Sequence, residues 1–380
     1  MELVVGILIG LIALIVLVVL HELGHAIVAR RNGVTVEEFG IGFPPKAWSR
    51  RLKNGIEFSI NWLPLGGFVR MKGEHDAATG KGAYGAATFW QKTKILLAGV
   101  VVNWLTAAVI FTGLALVGLP KLLPNQVILP FDAAVTSAPL KIGFVQDNSP
   151  AKKAGLQAGD ELVAVNGQAI AQADDFMRAM QTGGTVSIAV RRNGQQQQYQ
   201  VTPEGPEGSR KAGVGLQHQQ TTIRSTYSAP IVGVLTTAQF TGETIKGIGT
   251  LIGDSVTGIV QRFSPEQAVQ EHGHAKLDEV SKNVAGPIGI LGQLFPSVSK
   301  TGPVQVFTLI GLISVTLAVM NILPIPALDG GRWYMIALFR LMKKPLTKER
   351  EEIIQGASML LLYGLVLIIT INDIGKLFHG

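Results

Sequence analysis

LVVGILIGLIALIVLVVL at residues 3–20 runs straight into HELGH at residues 21–25. Wound as a helix at about 1.5 Å per residue, the apolar run alone measures about 27 Å, close to the hydrocarbon thickness of a bilayer. A cleaved leader would want basic residues before such a run and small residues after it. Met1-Glu2 supplies no base and a charged motif follows, so the segment is expected to remain as a membrane span. On the same helix His21 and His25 are four residues apart and share a face, with Glu22 beside them. Ionisable groups at membrane depth are costly and tend to be functional.

Three more stretches are apolar enough to span: 95–119, 304–323 and 353–371. The composition agrees, with 47% hydrophobic and 16% charged residues among 380, against about 25% charged in ordinary soluble domains. A net charge of +7 would suit nucleic acid or anionic lipid, and its placement decides for lipid. The loop from Arg30 to Lys94 holds eleven Lys/Arg against five Asp/Glu, and Arg332 to Arg350 holds six more basic residues. The positive-inside rule puts both loops in the cytoplasm and residues 120–303 outside it. The stretch Ala229 to Val260 is apolar at three- and four-residue steps but interrupted by Glu243, Lys246 and Asp254. It reads as an amphipathic helix on the membrane surface.

This organisation gives a first span with HELGH (1–30), a cytoplasmic loop carrying a β-hairpin (31–94) and a second span (95–119). An extracytoplasmic folded domain with its flanks follows (120–218), then surface helices and a linker (219–303). A third span (304–331), a cytoplasmic loop (332–352) and a fourth span (353–373) complete the chain. The fold class is a polytopic α-helical membrane protein with an inserted α+β domain. Within 142–203, short strands at 142–145, 162–165, 186–191 and 197–202 alternate with turns at Asn166-Gly167 and Gly159-Asp160 and a helix near 174–180. The run SPAKKAGLQAGDELVAVNGQAI resembles a PDZ domain, with Lys211–Leu216 as the closing strand of a permuted version.

Cysteine is absent, which excludes disulfides and thiolate ligands. A metal would need His, Asp or Glu. Zinc suits the HELGH helix, because it accepts two imidazoles and keeps a position open for water and substrate, where Glu22 can take a proton. A third ligand is available at the cytoplasmic end of the third span, in NILPIPALDGG at residues 321–331. Asp329 there can complete the site, and Pro324 and Pro326 would break the helix where irregular backbone can line a polar cavity. First and third spans run in the same direction, so charge bias brings His21, His25 and Asp329 to one membrane depth.

Taken together, HELGH, NILPIPALDGG, the PDZ-like insert and the four-span order resemble the site-2 protease family of intramembrane zinc metalloproteases, in its bacterial PDZ-containing branch. The resemblance implies one zinc held by His21, His25 and Asp329, Glu22 as general base, and Asn321 with the Pro-rich turn placing substrate. It also implies a plasma-membrane protein whose active site faces the cytoplasm, with single-pass membrane proteins as substrates and peptide ends at the PDZ-like domain. Gly99-Val100-Val101-Val102-Asn103 matches the family's Gly-Pro-x-x-Asn element except at Val100, which stands where proline is expected. Asn103 has two readings, a contact to substrate or oxyanion and a helix-packing amide. VAGPIGI at 284–290 matches a further element with no evident chemistry.

Gly55–Met71 reads as two strands joined by Pro-Leu-Gly-Gly. The resemblance places this hairpin in the membrane beside the active site, where an edge could pair with unwound substrate. The alternative is a hairpin that merely covers the helices. His75, His218, His272, His274 and His379 match no ligand position and read as solvated loop residues. Two rival functions, a membrane-anchored PDZ scaffold and a zinc-dependent membrane chaperone, would leave Glu22 without a task.

Overall fold

The computed structural model describes residues 2–379 apart from 171–172, 182, 207–209, 218–219 and 265. It divides into two compact units, one comprising Met1–Leu119, Gln126–Asp132 and Ser225–Gly380, the other Pro120–Asn125 and Ala133–Arg224.

The first unit contains seven helices used below: α1 (Glu2–Arg31), α2 (Phe89–Val117), α3 (Ala229–Arg262), α4 (Gln267–Asn283), α5 (Pro303–Ile322), α6 (Asp329–Leu341) and α7 (Lys348–His379). Of these, α1, α2, α5 and α7 are long and apolar enough to cross a membrane. The protein is an integral membrane protein. Helix α2 begins with a capping box, in which Thr88 Oγ1 accepts from Gln91 N–H while the Gln91 side chain accepts from Thr88 N–H. Residues 332–352, read as loop, instead hold most of α6, which starts at the metal-ligand candidate Asp329 itself.

Helix α3 is continuous across Gly242, Gly247, Gly249 and Gly253. It was expected to lie on the membrane surface, but its first turns bury Val232, Gly233, Thr236, Thr237 and Phe240. Phe240 stacks on Phe111 of α2 at 5.4 Å, and the Trp104 indole donates to Thr241 Oγ1 at 3.2 Å. The small and hydroxyl residues of this stripe let the two helices approach closely, a preference that hydropathy does not register. Asp132 caps the approach to α3, accepting from the backbone N–H groups of Thr226 (2.9 Å) and Ser228 (2.8 Å) and from the Ser228 hydroxyl (2.6 Å).

Helix α7 has two buried residues among those described, Glu351 and Asp373. Both are carboxylates, one near each end. Asp373 accepts from the N–H groups of Gly286 (3.0 Å) and Gly289 (2.8 Å), giving the VAGPIGI element a structural task.

The loop between α1 and α2 forms β1 (Val36–Arg51) and β2 (Glu57–Met71). Their register corrects the expected hairpin. Phe39 lies opposite both Val69 and Phe58, and Ile41 opposite both Gly67 and Ile60, so the first arm of β1 runs between the two arms of β2. The second arm of β1 pairs outside, with Arg51 opposite Glu57. Neighbouring strands lie about 4.8 Å apart, so the arms of β2 are separated by roughly two spacings. Pro64 to Gly67 crosses that gap instead of turning tightly. Gly67–Met71 is left as an outer edge, and Trp48, Trp62 and Leu63 are exposed apolar residues of the same sheet.

In the second unit, a four-stranded sheet joins 161–165, 168–169, 186–192 and 195–201, and Val214–Leu216 pairs antiparallel with Ile142–Val145. Its hydrophobic core is built on Leu140, Ile142, Leu156, Phe176, Ile188 and Val190, and Asp160 is buried in the same unit.

Candidate metal centre and its cleft

Three electron-rich atoms converge toward the C-terminal end of α1. His21 Nε2 and His25 Nε2 lie 3.2 Å apart, and Asp329 Oδ2 lies 3.1 Å from the first and 3.2 Å from the second. Ligands bound tetrahedrally to zinc at about 2.0–2.1 Å stand about 3.3 Å from one another. The triangle therefore has the size of one face of a zinc tetrahedron, leaving the fourth position open.

Each imidazole is oriented from behind. His25 Nδ1–H donates to the Ile95 carbonyl at 2.7 Å, which leaves the Nε2 lone pair facing the triangle. His21 Nδ1 is 3.2 Å from the Asn103 side-chain amide. With the Asn103 oxygen turned toward the ring, it accepts the Nδ1 proton and is no longer buried without a partner. Lone pairs of two rings and a carboxylate then point at one place, an arrangement that a cation satisfies. Oδ2 of Asp329 is itself buried without a hydrogen-bond partner. The residues present fit zinc.

Asn103 is 1% exposed, and its carbonyl accepts from Ser314 Oγ at 2.8 Å. The structure places it behind His21, away from the cleft. One turn earlier Gly99 lies directly under the rings. A Cβ at this position would fall 2.5 Å from His25 Nε2 and 2.6 Å from His21 Nδ1, so no side chain is tolerated there without displacing a ligand.

A cleft of about 330 Å³ opens from the triangle. Glu22, His25 and Asp329 line it on one side, Gly67–Val69 of the sheet edge on another, and Pro326, Ala327, Arg332 and Gln355 further along. Glu22 packs against that edge, since a Cβ on Gly67 would lie 3.3 Å from its Cγ. Pro324 is exposed and Asn321 half-buried, and neither forms part of the cleft wall. The Pro-rich turn holds itself by the N–H of Ile325 to the Leu323 carbonyl and of Leu328 to that of Ile325, both 2.8 Å.

Among the other histidines, His272 and His274 are exposed on α4, a helix where a loop was expected. His75 lies 3.7 Å from Glu352. His218 and the side chain of His379 lie outside the described residues.

The sequence matches Peptidase family M50 over residues 9–365. The chain belongs to this family, the site-2 proteases, and is a zinc metalloprotease of that type. Curated relatives include the regulator of sigma-W protease RasP of Bacillus subtilis, 28% identical and covering 95% of this chain and 96% of its own length. The zinc metalloprotease RasP of Bacillus licheniformis is 28% identical, covering 95% and 97%. The regulator of sigma-E protease RseP of Salmonella typhimurium is 26% identical, covering 97% and 98%. Among solved structures, the PDZ domain of an SdrC-like protein from Listeria monocytogenes is similar over 24% of this chain and 93% of its own, at 22% identity and a TM-score of 0.19.

Proposed function

We propose that the protein cuts membrane-spanning segments of other membrane proteins, as in regulated intramembrane proteolysis, using a single zinc held by His21, His25 and Asp329. The near-equilateral triangle of Nε2, Nε2 and Oδ2 atoms carries this reading. Zinc, when bound, supplies a Lewis acid that polarises the scissile carbonyl and acidifies water. Glu22 takes the proton from the attacking water and returns it to the leaving amine nitrogen as the C–N bond breaks. Asn103 and the Ile95 carbonyl hold the two rings in the ligating orientation.

A helical substrate hides its amides in its own hydrogen bonds and must unwind before attack. The edge Gly67–Met71 borders the cleft and offers unpaired backbone groups to an extended segment, so unwound substrate adds there as a further strand. Charge bias places the cleft toward the cytoplasm and the PDZ-like unit outside, in a bacterial plasma membrane, where that unit reads peptide ends or restricts access. Substrates of the anti-sigma-factor and remnant-signal-peptide kinds suit this chemistry, and the sigma-regulator names of the relatives support the first.

A scaffold or chaperone would bind membrane segments without needing Glu22. Cleavage of a single-pass substrate in nanodiscs by Glu22→Gln should fall by about 10²–10⁴-fold, with zinc content unchanged. Parent-like cleavage by that variant would refute the mechanism.

A further inference from the structure

Arg332 follows Asp329 by three residues, one turn along α6. Its side chain is only 13% exposed. Nε donates to Glu351 Oε1 at 3.2 Å, Nη2 lies 3.0 Å from the same oxygen, Nη1 donates to Glu74 Oε1 at 3.3 Å, and Nη2 also donates to the Glu74 carbonyl. The guanidinium lies over the buried Tyr84 ring, 4.7 Å from its centroid. Glu351, fully buried, uses its other oxygen to accept the Asp76 N–H at 2.8 Å. One side chain thus joins the helix that begins with the ligand, the loop that follows the sheet edge, and the last span.

The backbone before Asp329 explains the need. Helix α5 stops at Ile322, and the intervening turn is held by a few local hydrogen bonds. A carboxylate on such a segment keeps its place only if the segment is pinned. Gly330 and Gly331 let the first turn of α6 fold back onto it. A Cβ on Gly330 would lie 2.7 Å from Ile322 Cα, and one on Gly331 would lie 2.6 Å from Pro326 N. The last span supplies the opposing wall. Ser358 Oγ accepts the Ala327 N–H at 3.2 Å, and Glu351, Gln355 and Ser358 recur at four- and three-residue steps along one face of α7. That helix is otherwise little buried, with no buried residue in its most apolar window.

We propose that Arg332 is a positioning residue for the metal ligand Asp329, its fork between Glu351 and Glu74 fixing the first turn of α6 against the last span and the loop after the sheet edge. The inference rests on Asp329 being a ligand. A lysine ammonium lacks the planar fork that reaches Glu351 Oε1, Glu74 Oε1 and the Glu74 carbonyl together. Second-shell partners of metal ligands are worth about 10–100-fold in affinity, and Arg332 acts at one further remove, through the backbone.

The test uses the full chain in nanodiscs, with zinc affinity read by competition against a chromogenic chelator and folding by thermal unfolding of the metal-free form. Arg332→Met should weaken zinc binding by about 10-fold or more, and Arg332→Lys by less. Removing one partner of a buried ion pair destabilises the fold, whereas replacing both with apolar residues is often neutral. The double variant Arg332→Met/Glu351→Met should therefore regain the unfolding midpoint but not the zinc affinity, since methionine cannot tether the turn. Recovery of both, or an Arg332→Met affinity within twofold of the parent, would overturn the proposal. If Arg332→Met does not fold, the double variant carries the test. Parent-like affinity in Asp329→Ala would instead fault the ligand assignment and overturn the proposal with it, whereas weakened binding in Asp329→Ala beside parent-like binding in Arg332→Met would overturn the proposal alone.

Discussion

The two units differ in how much charge they bury. In the PDZ-like unit an apolar cluster fills the core, and one buried carboxylate, Asp160, pairs with Arg192 at 2.6 Å, the guanidinium staying partly in contact with solvent. The membrane unit exposes many of its leucines and isoleucines, buries others such as Leu17, Ile95 and Leu114, and encloses Glu38, Lys92, Glu351 and Asp373. Water drives the first arrangement, because apolar surface gains by leaving it. Lipid gives no such gain, so packing between spans falls to polar groups and small residues. The chemistry belongs to the second kind of interior, where a charge is held in place by partners.

Two substitutions and a pH dependence separate the two interiors, in order of expected effect. Gly99→Ala places a methyl group among the ligand rings and should abolish measurable zinc retention, a loss of roughly 100-fold or more on the scale of ligand-shell defects, while α2 still forms. Zinc at the parental level would show that the rings have room the structure denies them. Asp160→Asn should weaken the PDZ-like unit by roughly 2 kcal/mol, the size of a lost charge-assisted hydrogen bond. Hydrogen exchange over residues 140–201 should quicken, and exchange at residues 21–25 and zinc content should not change. A change at the metal helix would mean that the interiors are coupled.

The smallest effect is on pH. Desolvation opposes ionisation of Asp160, but the hydrogen bonds from Arg192 and Gln157 outweigh it and hold its carboxyl below the usual range. A depressed carboxyl stabilises fully above its ordinary value and loses that contribution as pH falls through the folded one. Protection factors for exchange over residues 140–201 should therefore fall in acid below about pH 4 in the parent, and less steeply in Asp160→Asn. Equal slopes would assign the acid sensitivity to other groups.

These contrasts also explain what could be read from the residues beforehand. Helical spacing put His21 and His25 on one face, and charge bias put Asp329 at their depth, because both signals are local and additive. The paired strands of the PDZ-like unit carried turn residues at short intervals. Gly99 was marked only by the Gly99–Asn103 family element, and its place under the rings could not be read, since a close approach between helices has no periodicity. Asn103 stood out as polar within a span, yet its partner His21 lies 82 residues away. The two arms of β2 read as one hairpin because the arm of β1 that runs between them is a non-local pairing. Arg332 counted only as one more positive charge in a cytoplasmic loop, and its buried fork between Glu74 and Glu351 depends on segments 258 and 19 residues distant.

Zinc K-edge absorption of the metal-loaded chain, compared with Asp329→Ala, tests the central claim most directly. The parent should show one zinc with two imidazole nitrogens and oxygen at about 2.0–2.1 Å, and the variant should lose its carboxylate oxygen together with most of its metal. An unchanged spectrum at unchanged stoichiometry would contradict the account.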